Sequence, residues 1–533
     1  MAKSFRDIAL VLTISFLSCH YLSVTSLASS DGFIQCLLQK IPGELVLTPS
    51  SGSFTDVLVS TIRNPMFFNN ATARPLCIVM PADASHVQAA VLCGRAEGVR
   101  LRARSGGHDY EGLSYRSARR GDGGGEVFAV VDLGARLRAV SVSDGDDATA
   151  WVESGASLGE LYYTVAKSNP GLAFPAGVCP TIGVGGHLSG GGISMMSRKY
   201  GLAADNIVDA KLVNANGELV DRAAMGEDLF WAIRGGGGES FGIVVSWKVR
   251  LVQVPPTVTV FVIGRNVDQG AADVVTRWQD VAPSLPPELT IRVIVRGQRA
   301  TLQSLYLGSC ADLVPTMSRM FPELGMTSAD CREMSWLQSV ALIQFWNPNT
   351  PVEALLNRRT SLSTFTKAKS DYVRRAIPSD VWKNILPWFT MNGSGQMLLE
   401  PMGGFVGGVP AAATPYPHRG GVLYNIQYIA YWSGDGTAAA AAAANRWIND
   451  LYAFMEPYVS SDPREAYVNF RDLDIGENAV AANDVSTFES GKVWGEKYFA
   501  GNFERLAAVK AAVDPTDYFR NEQSIPPLLV QSK

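Results

Sequence analysis

Apolar runs of strand length alternate with helix-like stretches from about residue 75 to 255. Residues 77–81 (CIVMP) and 128–132 (FAVVD) read as buried strands. Residues 85–98 read as a helix with Ser85 at its N-cap. A strand over 209–213, the turn pair Asn216-Gly217 and a strand over 218–220 read as a hairpin. A short helix over 228–233 runs into Arg234 and four glycines, and 242–252 alternates as a strand. Pro255-Pro256 then marks a boundary, beyond which the pattern changes. Strands are expected over 257–264, 289–297 and 422–432, and helices over 314–321, 352–356 and 503–513. Seven alanines, 438–444, continue into Arg446 to Leu451, which predicts a helix of high propensity and not a membrane span. No internal repeat is present.

At 533 residues the chain is too long for one ordinary core, so two domains are expected. Its net charge of −4, with no basic cluster, excludes a nucleic-acid surface. Lys3 and Arg6 precede an apolar stretch over 8–17, and small residues follow at 26–29. That is the pattern of a secretory signal peptide, residues 1–28, cut near Ala28, leaving no membrane segment. Secretion permits disulfides. Of seven cysteines, Cys19 falls in the leader, and spacing alone leaves the pairing of the other six open. No CxxC pair is present and histidines are few, so no metal site is expected. Asn70 and Asn392 head glycosylation sequons. Arg120-Gly121-Asp122 is read as a chance adhesion tripeptide.

Three glycine-rich segments fall in the first domain: 105–107, 183–192 and 235–238. The middle one has neither the GxGxxG spacing of a dinucleotide fingerprint nor the Gly-Lys-Ser/Thr of a phosphate loop. Two of them carry a reactive side chain, His108 after Gly107 and Cys179 before Gly183. Glycine lets the backbone approach a ligand closely and present its N–H groups to anionic oxygens. Together the three segments point to a diphosphate-bearing cofactor, gripped at two points by an imidazole and a thiol.

Six segments carry a resemblance: RSGGHDYEGLSY (104–115), VCPTIGVGGHLSGGG (178–192), RKYGLAADN (198–206), GEDLFWAIRGGGGESFG (226–242), NFRDLDIG (469–476) and DYFRNEQSIPP (517–527). They resemble the plant berberine bridge enzyme-like family, flavoproteins of the vanillyl-alcohol oxidase type, and also its grass-pollen allergen branch. The resemblance implies a two-domain α+β fold of the vanillyl-alcohol oxidase (PCMH) type. Residues 31–255 would form the FAD domain, 256–465 a substrate domain built on an antiparallel sheet, and 466–533 a C-terminal segment returning to the FAD domain. It implies FAD bound covalently twice, through His108 to the 8α-methyl and through Cys179 to C6, and a Cys36–Cys93 disulfide. The remaining cofactor contacts would come from Arg104, Ser105, Gly106, Gly107, Thr181, Ile182, Gly183, Gly186, His187, Gly190, Gly191, Gly237, Phe241 and Gly242.

The same resemblance places Tyr110, Asn425, Gln427 and Tyr467 at the reacting end. Asn425 and Gln427 are two apart on one strand and share a face. Gln427 stands where alkaloid-cyclising relatives carry a glutamate, and an amide is no base. Asn425 stands where alcohol-oxidising relatives carry a lysine that assists a tyrosine. Tyr110, aided by Tyr467, is then the expected proton acceptor, with Gln427 positioning substrate. Ile193-Ser194 replaces the aromatic-glycine pair of many relatives. Ile182 occupies the place over the flavin edge where valine accompanies oxidase behaviour, so a dehydrogenase is expected more than an oxidase. The expected function is that of a secreted, monomeric FAD enzyme in the extracellular space, wall or vacuole. It would oxidise a phenolic alcohol or a sugar hydroxyl and pass electrons to oxygen or a quinone-like acceptor. A flavin-loaded binding protein and an alkaloid oxidase are the alternatives.

Overall fold

The structure is a computed structural model that describes residues 30–529 apart from 71, 118–119, 122–123, 144–147, 360–362 and 434–436. The leader 1–28, part of the Asn70 sequon and Asp122 of the adhesion-like tripeptide lie outside the described residues. No helix among the described residues is long and apolar enough to cross a membrane.

Three sheets carry the molecule. A four-stranded sheet runs in the order Val46–Leu47, Ile78–Val79, Phe128–Asp132, Arg100–Arg104, and its last three strands are parallel. A five-stranded antiparallel sheet runs Leu219–Val220, Ile207–Val213, Ile243–Arg250, Thr149–Glu153, Val140–Val142. An eight-stranded antiparallel sheet, from Val258 to Ser433, has Leu289–Arg296, Gln396–Pro401, Tyr424–Ser433 and Thr364–Val373 as consecutive neighbours. The fold is α+β, as the resemblance implies.

The 209–220 hairpin forms, with Leu212 opposite Val220 and Gly217 at φ 76°; this register is one residue off the one that a two-residue Asn216-Gly217 turn would set. One helix boundary differs from expectation. The helix is Ala84–Glu97, and its N-cap is Asp83, whose carboxylate accepts from the Ser85 and His86 N–H groups. Either residue type caps well; local pattern cannot choose between neighbours two apart. The short helix expected over 228–233 is the end of Arg222–Ile233, broken at Gly226.

The N-terminal core packs Phe33, Leu37, Val79, Val91 and Val131 with Tyr518 and Phe519 from near the other end of the chain. The Tyr518 hydroxyl donates to the Val99 carbonyl at 3.0 Å. Cys36–Cys93 is a disulfide, as the resemblance implies, and Cys310–Cys331 is a second. Cys77 is free and buried.

A charged cluster joins the eight-stranded sheet to the loop behind Tyr110. Lys367 and Lys369, on one face of their strand, are buried. Lys367 reaches Glu111 at 2.5 Å and Asp472 at 2.8 Å, and Lys369 reaches Asp472 at 2.9 Å and Asp474 at 2.6 Å.

Candidate active site

Two turns are pressed together to build one wall. A Cβ on Gly106 would collide with the Gly183 backbone nitrogen, and one on Gly183 with Ser105 and Gly106. Gly107 sits at φ 65° with its Cα against the Thr61 carbonyl. These glycines are steric requirements of a close backbone approach. The helix Leu158–Ser168 anchors the second turn. It begins with a capping box between Ser157 and Glu160, and its first amides donate to the Ile182 and Pro180 carbonyls at 2.9 Å.

A cavity of about 560 Å³ opens along this wall, a volume typical of ligand sites. Ser105, Gly106, Gly107, His108, Cys179, Ile182, Gly183, Gly186, His187, Gly190, Gly237 and Gly242 all line it, together with Tyr110, Gln427 and Tyr467. Five expected residues, Arg104, Thr181, Gly191, Phe241 and Asn425, do not line it. Arg104 is fully buried and pairs with Asp132 at 2.6 Å while donating to the Leu58 and Val57 carbonyls. Phe241 is core. Gly191, at φ 112°, faces Tyr416. Thr181 stands between the two reactive residues: its hydroxyl lies 2.9 Å from His108 Nε2 and 3.3 Å from the Cys179 sulfur.

The electrostatics favour neutral imidazoles. Burial, with Arg63 nearby, pushes His108 down to about 3, and burial pushes His187 down to about 4. His187 Nε2 accepts from the Gly177 N–H at 2.9 Å, so its proton is on Nδ1.

Two phenols, Tyr110 and Tyr467, line the cavity. The Tyr110 oxygen accepts from the Gln427 amide at 2.7 Å, and its ring meets Phe470 edge-on at 6.1 Å. The Tyr467 oxygen accepts from three donors: Gly192 N–H at 2.9 Å, Ile193 N–H at 3.3 Å and the Asn469 amide at 2.9 Å. Burial pushes both phenols up to about 12. Asn425, two residues before Gln427, is buried but does not line the cavity; its amide donates to the Asp371 carbonyl at 3.0 Å.

Of the facing wall only Gln427 was anticipated. Gln396, Leu398 and Glu400 line it from one strand, Gln427 and Tyr431 from the next, and Arg292 from a third. Arg292 pairs with Glu400 at 3.1 Å and donates twice to the Gln303 side-chain oxygen. Gln396 donates to the Tyr431 hydroxyl at 3.0 Å. Trp346, 48% exposed and in left-handed backbone at φ 59°, stands at the rim. The polar alternation in QMLLEP (396–401) was the available signal for part of this wall.

Comparison with known proteins fixes the family. An FAD binding domain model matches residues 75–222, and a berberine and berberine-like model matches 466–526. The berberine bridge enzyme-like protein Cyn d 4 of Cynodon dactylon is 57% identical over 497 residues, covering 93% of each chain. The chain belongs to the berberine bridge enzyme-like family. It is an FAD-linked oxidoreductase. Among solved structures, it is similar to Phl p 4, a grass pollen allergen with glucose dehydrogenase activity, at 54% identity and TM-score 0.90, covering 93% of this chain and 100% of that one. An isoleucine-to-valine variant of Phl p 4 is a glucose oxidase. A berberine bridge enzyme variant described as a reticuline dehydrogenase is 38% identical, with TM-score 0.87, covering 94% of this chain and 100% of that one.

The cavity suits FAD on its own terms. Among its lining residues, Ser154 Oγ and Trp247 Nε1 are buried polar atoms without a partner, free to meet a polar ligand. A Cβ on Gly186 would project into open space at the cavity wall.

Proposed function

We propose that this chain is a secreted dehydrogenase that oxidises a carbohydrate hydroxyl using FAD attached through both His108 and Cys179. When bound, the flavin supplies a two-electron acceptor for hydride. The observation that carries the substrate class is the facing wall. Arg292 with Glu400, Gln396 with Tyr431, and Gln427 with Tyr110 offer donors and acceptors fixed in pairs, with an aromatic face at the rim. That pattern suits a polyhydroxyl ring better than a flat apolar alkaloid. The activity of Phl p 4 on glucose supports the same reading.

His108 and Cys179 would hold the ring, and His187 would sit as a neutral imidazole with Nδ1–H to donate. Proton removal falls to a phenol. Of the two, Tyr467 has the oxygen better equipped to carry negative charge, because two backbone N–H groups and an amide already point at it. Tyr110, with Gln427 donating to it, would orient the substrate hydroxyl and is the second proton acceptor. Ile182, lining the cavity, would restrict oxygen, leaving a quinone-like acceptor for the electrons.

The test is anaerobic bleaching of the yellow protein by panels of sugars, phenolic alcohols and alkaloids. Sugars should bleach it fastest. Bleaching by alkaloids alone would replace this reading with the alkaloid one, and bleaching by none would leave a binding protein. Acid denaturation should keep the yellow colour with the pellet, whereas free FAD in the supernatant rejects covalent attachment.

A further inference from the structure

Thr181 has no role yet, although its side chain occupies the one place that touches both reactive groups. Its hydroxyl is 2.9 Å from His108 Nε2 and 3.3 Å from the Cys179 sulfur. A hydroxyl is donor and acceptor at once. It can accept the thiol proton while giving its own proton to the imidazole, or run the other way. The loop holds it there, since the Pro180 and Ile182 carbonyls on either side are bound by the amides of Gly159 and Leu158.

We propose that Thr181 relays a proton between Cys179 and His108 and thereby drives attachment of the flavin to the sulfur. The inference rests on the two-point attachment proposed above. The sulfur–hydrogen bond of Cys179 breaks as the sulfur–carbon bond to the ring forms. The sulfur proton passes to the Thr181 oxygen, and the Thr181 proton passes to His108 Nε2. Two electrons enter the ring system, and dioxygen removes them. The net change is thiol plus ring C–H plus dioxygen giving thioether plus hydrogen peroxide, so atoms and electrons balance. A thiol is a poor nucleophile and a thiolate a good one. Cys179 has no basic side chain at hydrogen-bond distance among the described residues other than through Thr181.

The same contact orders the second attachment. With Nε2 held by Thr181, Nδ1 is the nitrogen left to bond the cofactor. Thr181 thus positions both groups, and only the sulfur bond needs its proton transfer.

The experiment compares wild type, Thr181→Val and Thr181→Ser, each expressed with its natural complement of FAD. Tryptic flavopeptides are quantified by mass spectrometry. In Thr181→Val the His108 peptide should keep its flavin, while the doubly attached species falls at least tenfold. Thr181→Ser, which restores the hydroxyl, should return to near the wild-type ratio. Double attachment in Thr181→Val at the wild-type level overturns the relay. Equal loss in Val and Ser variants also overturns it, because packing rather than proton transfer would then be at work. Should Thr181→Val fail to fold, Thr181→Ala carries the same expectation. A wild type that releases all its flavin in acid defeats the attachment reading itself, which is a different outcome from either of these.

Discussion

On one wall of the cavity the contacts come from backbone. Residues 105–107 and 183–186 are held so close that side chains at Gly106 and Gly183 would collide. On the facing wall they come from side chains that alternate along three sheet strands and are paired to one another, Arg292 to Glu400 and Gln396 to Tyr431. In the function proposed above, the first wall holds what is common to every substrate-bound state, the cofactor. The second is free to vary without disturbing it, because a strand tolerates exchange of one outward side chain more readily than a turn tolerates loss of a glycine. A change on the first wall should therefore abolish loading or chemistry, and one on the second should shift preference.

The sharpest way to break this contrast lies where the walls meet, at the two phenols. Tyr467→Phe should slow anaerobic flavin reduction by about a hundredfold to ten-thousandfold, the usual cost of losing a general base. Tyr110→Phe should cost less. The wild-type reduction rate should rise with pH across the neutral and alkaline range, because a base must be deprotonated and both phenols are pushed up to about 12. That rise should vanish in Tyr467→Phe. If Tyr110→Phe has the larger effect and loses the pH limb, the roles are reversed.

The joint between the walls is also electrostatic. Lys367→Met would leave Glu111 and Asp472 buried without their shared cation. Breaking such a cluster costs about 3–5 kcal/mol. It should be read as a lower urea midpoint, and an unchanged midpoint would mean that Lys369 and solvent compensate.

A smaller effect is expected at Ile182. Removing one methylene in Ile182→Val should speed reoxidation of photoreduced protein in air, since packed interiors have no spare room for even a diatomic gas. Stopped-flow traces identical to wild type would place the oxygen path elsewhere. The smallest effect should be at the rim. Trp346→Ala should raise KM for sugars a few-fold and leave kcat nearly unchanged, as loss of a stacking face would; a fall in kcat alone would contradict a binding role.

The first wall was largely legible in the sequence because its requirements are local. His108 and Cys179 stand in glycine-rich turns, and a turn that demands glycine announces itself. Arg104, a cofactor contact by the resemblance, instead pairs with Asp132 on a neighbouring parallel strand, a partner that its local sequence does not announce. The second wall was nearly invisible. Gln427 was implied by the resemblance, but Arg292, Gln396 and Glu400 join it on the cavity only because of the register that sets Val293 opposite Leu399 and Leu398 opposite Gln427, which no local pattern encodes. Asn425 shares a strand face with Gln427, yet its amide is spent on the Asp371 carbonyl.

Tyr518 and Phe519 complete the core that Phe33 and Leu37 begin, and this has a consequence for biogenesis. During synthesis the first core stays unfinished until almost the last residue has emerged. Nearly the whole chain must wait for a contact spanning 419 positions, the kind of closure that slows folding and exposes intermediates. A product truncated before Tyr518 should leave Phe33, Leu37 and Val131 without part of their core and yield little folded protein.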